Sequence, residues 1–334
     1  MKAIVLEGPG TLRVEERPVP EPERGQALVR VLAGGVCGTD LASYRGSNPL
    51  VVYPLIPGHE LCGEVVEVRG DGPLSPGDRV VVDPVRSCGR CRPCRLGRPN
   101  CCEDAQVMGV HRDGGWAEYF VTDLDKLFPA PRNLPPEEAA LCEPYAVGAH
   151  ANERGEVGEG EGVVVVGAGT VGLAALQVAK ARGARVLSVD LVPRKLELAL
   201  RMGADAVADG RGDVAGAVER FMGGEGPDVV IEAVGRPETM RMAVELAAPA
   251  GRVVAVGVVG GEICFPGPTF HKKELDFRGS RNSLGQFPEV VRWMEEGKLS
   301  PGLMITHRFP IEEAEEALKF MDEHPEEVSK VVLL

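Results

Sequence analysis

Two groups of side chains have types and spacing suited to holding a metal ion. Between Cys88 and Cys102 the chain reads CGRCRPCRLGRPNCC. The pattern Cys88-x2-Cys91-x2-Cys94-x7-Cys102 sets four thiols close together along the chain. Four thiolates are the ligand set of a closed, tetrahedral structural zinc site. Short CxxC loops reach that geometry with little ordering cost. Cys101 is the alternative fourth ligand. Arg86, Arg90, Arg92, Arg95 and Arg98 flank the thiols and would offset their charge. The second group is dispersed: Cys37 in GGVCGTD, His59 and Glu60 in IPGHELCGEV, and Glu143 in LCEPYAVGAH. Taken singly, these read as a buried thiol, a satisfied core imidazole and a glutamate at a helix start. Taken together, Cys, His and Glu offer three ligands and leave a fourth position for water or substrate, as in a catalytic zinc site.

A third stretch, 162–190, reads GVVVVGAGTVGLAALQVAKARGARVLSVD. Four valines predict a strand buried on both faces. Gly167, Ala168, Gly169, Thr170, Val171 and Gly172 then give GxGxxG. An alanine-rich helix to Ala181 follows, capped near Gly183. A second strand ends at Asp190. Gly167 allows the tight turn, Gly169 lets backbone approach a pyrophosphate, and Gly172 lets helix and strand pack closely. The helix N-terminus presents unpaired N–H groups to phosphate oxygens. Asp190 stands where a carboxylate accepts from ribose hydroxyls. It favours NAD, because it would repel a 2′-phosphate; Arg194 and Lys195 follow closely and keep NADP as the alternative.

These groups need elements to position them. Residues 1–145 carry short β-branched runs at 3–6, 27–32, 63–68 and 79–82, separated by Gly/Pro turns, and predict a mostly β domain of sandwich or barrel type. A βαβ rhythm begins near residue 162, so a boundary falls at 145–160. A helix from Arg194 closes at Gly203, and buried strands are expected at 228–233 and 252–256. Gly235 and Gly257 then lie at strand C-terminal ends, near the nicotinamide half of a dinucleotide. Arg281 is placed to reach a cofactor phosphate. Tyr44 and Trp116 are candidates for a substrate wall, and Arg45 for a bidentate contact with a substrate carboxylate.

The chain has 334 residues, enough for two domains with real cores, and is 44% hydrophobic. Its net charge of −13 argues against nucleic-acid or anionic-membrane partners. The N-terminal apolar run is too short for a signal peptide. Nine clustered cysteines suit metal binding in a reducing compartment, so a cytoplasmic location is expected.

Taken together, CGTD (37–40), GHE (58–60), the four-cysteine lobe (88–102), GVHRDGGWAEY (109–119), CEPYAVGAH (142–150), GAGTVG (167–172), RGSRNS (278–283) and ITHRFPIEEAEEAL (305–318) resemble the zinc-dependent medium-chain alcohol and polyol dehydrogenases over nearly the whole length. SYRGSNPLVVYP and VDPVRSCGRCRPC look most like the branch of sorbitol and sugar-acid dehydrogenases. The resemblance implies an α/β protein: a GroES-like catalytic domain (1–145) with a zinc lobe (88–102), a Rossmann domain of doubly wound parallel sheet (146–284), and a C-terminal segment (285–334) that returns to the catalytic domain. A helix at 286–296 would cross between them, and substrate would lie in the cleft. It implies two zinc ions per chain. One would be catalytic, on Cys37, His59 and Glu143, with Glu60 as a stand-in ligand; the other structural, on the four cysteines. Thr39 would take the substrate hydroxyl proton and pass it toward the cofactor ribose. The implied activity is hydride transfer from a small secondary alcohol to NAD, in a dimer or tetramer. Threonine dehydrogenases carry a histidine where this chain has Ala42, which demotes threonine as substrate; an L-threonine or other amino-alcohol or diol dehydrogenase of the same family is the alternative. Glu143 stands where ethanol-type relatives carry cysteine, which points to polyols and sugar acids. A zinc-free quinone or enone reductase is the other alternative, disfavoured by the Cys37, His59 and Glu143 set.

Overall fold

The computed structural model describes residues 1–334, and the chain folds into two compact units. The first contains Met1–Glu143, Phe287–Glu295 and Ile305–Leu334; the second contains Pro144–Gln286 and Glu296–Met304. Of the C-terminal segment 285–334, residues 285–286 and 296–304 therefore go with the second unit, and 287–295 and 305–334 with the first.

The first unit is built on a seven-stranded sheet. Its strands run in the order Ile305–Phe309, Lys330–Leu333, Gln26–Val36, Glu60–Arg69, Arg79–Val82 and Leu127–Pro129, with Tyr119–Asp123 also paired to Gln26–Val36. One face buries Val29, Leu61, Val65, Val80, Met108 and Phe120. The two central strands are longer than the apolar runs in the sequence suggest. Gly34, Gly35 and Gly63 lie inside these strands, where backbones or side chains approach closely. A Cβ on Gly63 would stand 2.7 Å from the Arg30 carbonyl oxygen, and one on Gly35 would collide with the Glu60 carboxylate. The C-terminal strand pairs antiparallel with the end of Gln26–Val36, matching Val331 to Val36. That register brings Lys330 to the strand ends that carry Cys37 and Glu60.

The second unit is a six-stranded sheet with every pair parallel. Its order is Ala206–Asp209, Arg185–Asp190, Gly162–Val166, Val229–Glu232, Arg252–Ala255, Asp276–Gly279. Counted within the sheet this is 3-2-1-4-5-6, the doubly wound arrangement. Its switch point lies between Gly162–Val166 and Val229–Glu232, where such sheets bind ligands. Val163, Val164 and Val165 have no exposed surface, as expected of a strand covered on both sides. The helix Thr170–Ala181 buries Leu173, Leu176 and Val178, and the turn after it passes through Gly183 at φ +87°. The helix Val214–Met222 starts with Asp213 accepting from the Gly216 N–H at 2.8 Å and stops at left-handed Gly223.

Candidate active site

Cys37 ends one strand and caps the helix Gly38–Tyr44. Its backbone N–H donates to Asp40 Oδ2 at 2.8 Å. Asp40 is buried, and its other oxygen accepts from the Gly58 N–H at 3.4 Å and faces His59 Nδ1 at 3.6 Å. One carboxylate therefore fixes the backbone at Cys37 and at Gly58 and places its charge beside the imidazole, whose Nδ1 has no hydrogen-bond partner. Burial alone would lower the His59 pKa. Asp40, Cys37 and Glu143 outweigh it and hold the ring well above the usual imidazole value.

Glu60 opens its strand opposite Gly35, and the missing side chain at Gly35 is what makes room for its carboxylate. Lys330, with 1% of its surface exposed, donates from Nζ to Glu60 Oε1 at 2.6 Å and to the Val36 carbonyl at 2.9 Å. Burial would lower the Lys330 pKa, but Glu60 and Cys37 hold it above its ordinary value, so the ion pair persists. Ligand atoms of Cys37, His59 and Glu60 all lie within 4.8 Å of one another. Glu143, in the first turn of the helix Cys142–Arg154, falls outside that group. Burial pushes its pKa up to about 7, with His59 and Lys330 opposing. It is thus near enough to feel the cluster, while the carboxylate that closes the ligand set here is Glu60. Thr39 Oγ1 lies 3.6 Å from Cys37 Sγ. A thiol, an imidazole and a carboxylate gathered around a spot that stabilises positive charge form a donor set that fits zinc.

The four-cysteine lobe is equally compact. Ligand atoms of Cys88, Cys91, Cys94 and Cys102 share the same 4.8 Å range, and Cys101 is not among them. Cys91 Sγ lies 3.4 Å from Cys94 Sγ and 3.8 Å from Cys102 Sγ. Backbone N–H groups of Arg90 and Cys91 pull the Cys88 thiol down to about 6, so it is prepared as a thiolate. The flanking arginines are not all aimed at the thiols: Arg86 pairs with Asp123 at 3.2 Å, and Arg95 donates to the Arg90 carbonyl.

At the head of the parallel sheet, Gly167 adopts φ +98°, and a Cβ there would stand 2.7 Å from Val234 Cγ2. A Cβ on Gly172 would collide with the Gly167 carbonyl oxygen, whereas one on Gly169 would point into open space. Gly169 is therefore free of packing constraint, as a backbone cradle for a ligand requires. No side chain caps the helix Thr170–Ala181 at Gly169, and Val171 follows in its first turn. Asp190 Oδ2 accepts from the Ala168 N–H at 2.7 Å and Oδ1 from the Val192 N–H at 2.9 Å, tying the strand end to the glycine turn. Lys195 is half-buried in the helix Pro193–Arg201. Gly235, at φ +81°, and Gly257 follow the ends of neighbouring strands, and Arg281 is exposed just after the last one.

Two family models match the chain: an alcohol dehydrogenase GroES-like domain over residues 23–132, and a zinc-binding dehydrogenase over residues 170–296. L-galactonate-5-dehydrogenase of Escherichia coli K12 is 39% identical over 93% of this chain and 92% of its own length. Sorbitol dehydrogenase of Bacillus subtilis 168 is 33% identical over 100% of this chain and 97% of its own. The alcohol dehydrogenase RspB of E. coli CFT073, solved in complex with NADH, is 35% identical, with a TM-score of 0.93 over 100% of this chain and 98% of its own. The chain belongs to the zinc-dependent medium-chain dehydrogenases.

For this dehydrogenase, the three side chains expected at a substrate wall are occupied elsewhere. Trp116 has no exposed surface; it packs against Gly34 and Gly58 and serves the core. Tyr44 is nearly buried, and its hydroxyl donates to Glu315 Oε1 at 3.0 Å. Arg45 pairs with Asp322 on the helix Ala314–Glu323. The nearness of Tyr44 and Arg45 to Cys37 in sequence carries no information about which way they face. Conversely, Asp40 and Lys330 escape sequence reading. Asp40, three residues after an N-cap, had a legible signal in the capping-box spacing. Lys330 had none, since its partner lies 270 residues away.

Proposed function

We propose that the protein oxidises a secondary alcohol of a polyol or sugar acid with NAD, using one catalytic and one structural zinc per chain. The observation that carries this reading is the convergence of Cys37, His59 and Glu60 ligand atoms within 4.8 Å. The names of the L-galactonate and sorbitol enzymes supply the substrate class by analogy. Zinc held by Cys37, His59 and a carboxylate, Glu143 or Glu60, supplies Lewis acidity toward the alcohol oxygen, and the nicotinamide supplies the hydride acceptor. The chain does the rest. Asp40 places a negative charge beside the His59 ring. Lys330 restrains the Glu60 carboxylate through its Nζ, and Glu60 and Glu143 are the two carboxylates that would alternate as ligand. Thr39 takes the hydroxyl proton and passes it outward. Gly169 and the uncapped helix start receive the pyrophosphate, with Lys195 and Arg281 near phosphate oxygens. Asp190 receives the ribose hydroxyls and supports NAD over NADP. A dimer or tetramer in the cytoplasm belongs to the same reading.

The test is a dehydrogenase screen over hexitols, pentitols, aldonates and amino-alcohols, with NAD and NADP in parallel. The expected result is turnover of a polyol or aldonate, with NAD favoured by about tenfold or more, equivalent to roughly 1.4 kcal/mol of discrimination at Asp190. Turnover confined to amino-alcohols, or to NADP, would overturn the reading.

A further inference from the structure

Glu232 is fully buried at the end of the fourth strand of the parallel sheet, on the switch-point side, and pairs in register with Val166. No basic side chain meets it. Its Oε1 accepts from the Val234 N–H at 3.0 Å, the Gly235 N–H at 2.9 Å and the Thr239 hydroxyl at 2.7 Å. Its backbone carbonyl accepts from the Val256 and Gly257 N–H groups at 2.9 and 3.0 Å. One residue thus gathers the backbone of two turns that leave adjacent strands. Oε2 is buried without a partner, and a Cβ on Gly257 would stand 2.7 Å from it. Packing is tight enough that neither turn can shift toward the other. Val234 and Val258 project from these turns, 44% and 94% exposed, and Val234 also lies against Gly167 of the phosphate turn. A buried carboxyl group with one oxygen left unpartnered is costly and calls for a compensating role. Here it buttresses an apolar shelf beside a phosphate cradle.

We infer that Glu232 is a positioning residue for the nicotinamide half of the cofactor: its carboxylate holds the 233–236 turn against the 256–258 turn, which its backbone carbonyl holds, so that Val234 and Val258 form a fixed face for the ring. The inference rests on the cofactor reading above, with Gly235 and Gly257 at the nicotinamide end. It predicts an effect mainly at one end of the dinucleotide, because the Glu232 side chain makes its hydrogen bonds to Val234, Gly235 and Thr239 and none to the glycine turn or Asp190.

The experiment titrates the full-length protein with NADH and, separately, with ADP-ribose, which lacks the nicotinamide. In Glu232→Ala the two freed N–H groups lose their acceptor, and the NADH Kd is expected to rise about tenfold while the ADP-ribose Kd stays within about twofold. Glu232→Gln keeps an acceptor oxygen and is expected to recover NADH binding to within about threefold of wild type. Thr239→Ala, which removes only the hydroxyl donor, covers the case in which Glu232→Ala does not fold, and is expected to weaken NADH but not ADP-ribose by about threefold. Equal losses for both ligands, or unchanged NADH binding in Glu232→Ala and Thr239→Ala, would overturn the inference. Failure of the wild-type protein to bind either ligand would instead overturn the cofactor reading beneath it.

Discussion

Lys330 and Glu60 show how a single pair conditions a metal-ligand cluster. Both are 1% exposed, so each charge depends on the other. Removing one partner of a buried pair leaves the other uncompensated, a loss of roughly 3–5 kcal/mol, whereas removing both together is often close to neutral. Lys330→Met is therefore expected to lower unfolding stability by roughly that amount, and Lys330→Met combined with Glu60→Gln to recover most of it. Denaturant unfolding of the three proteins decides this. A double variant no more stable than the single would show that the lysine matters through packing and not through charge. None of this was visible at residue level in the sequence. Cys37, His59, Glu60 and Glu143 stood out by type, but the choice between the two carboxylates depends on which strand ends are adjacent.

At the scale of elements, the glycine turn illustrates what a motif does and does not say. Gly169 and Gly172 look equivalent in GAGTVG, yet their surroundings differ. Gly172→Ala forces a Cβ onto the Gly167 carbonyl and should lower the melting temperature sharply. Gly169→Ala meets nothing within 4 Å and has φ −78°, so stability should hold while NADH binding weakens. Calorimetry and NADH titration of both variants check the contrast. The neighbouring strand pair carries a pH signature. Asp205 accepts from the Val186 N–H at 2.6 Å and from Lys180 Nζ at 2.7 Å. Partial burial opposes these contacts, but they hold its pKa below the ordinary 3.8. A depressed carboxylate contributes stability that is fully present above its unfolded pKa and is lost as pH falls through the folded one. Asp205→Asn should therefore melt earlier than wild type at pH 7, with the gap narrowing as pH falls below the ordinary 3.8. A gap independent of pH would remove the ionised form from the explanation. The strand Gly162–Val166 and the helix after it were plain in sequence, because a valine run and an alanine run sit either side of the glycines. The strand Ala206–Asp209 and the helices Val214–Met222 and Pro237–Leu246 were not singled out. Their apolar runs are short, and parallel pairing and packing carry them.

Across the whole molecule, the family and both architectures follow from clustered motifs, whereas the side chains that organise the site come from distant pairing. The last strand, Lys330–Leu333, delivers its lysine to a cluster begun at Cys37. Asp40, Lys330 and Glu232 each hold other groups in place, and nothing in local spacing identifies such a role for the latter two. Tyr44, Arg45 and Trp116 fail in the opposite way: their types suit a substrate wall, and the fold spends them on other contacts. The two metal-ligand clusters, by contrast, are separate groups on separate elements, so loss of a ligand from one leaves the other's ligands in place. Zinc content per chain, measured by mass spectrometry on purified wild-type and Cys37→Ala proteins, tests the account most directly. It predicts two zinc ions in the wild type, one for each cluster, and one in the variant, with the four-cysteine lobe still loaded. Two zinc ions in Cys37→Ala, or only one in the wild type, would contradict it.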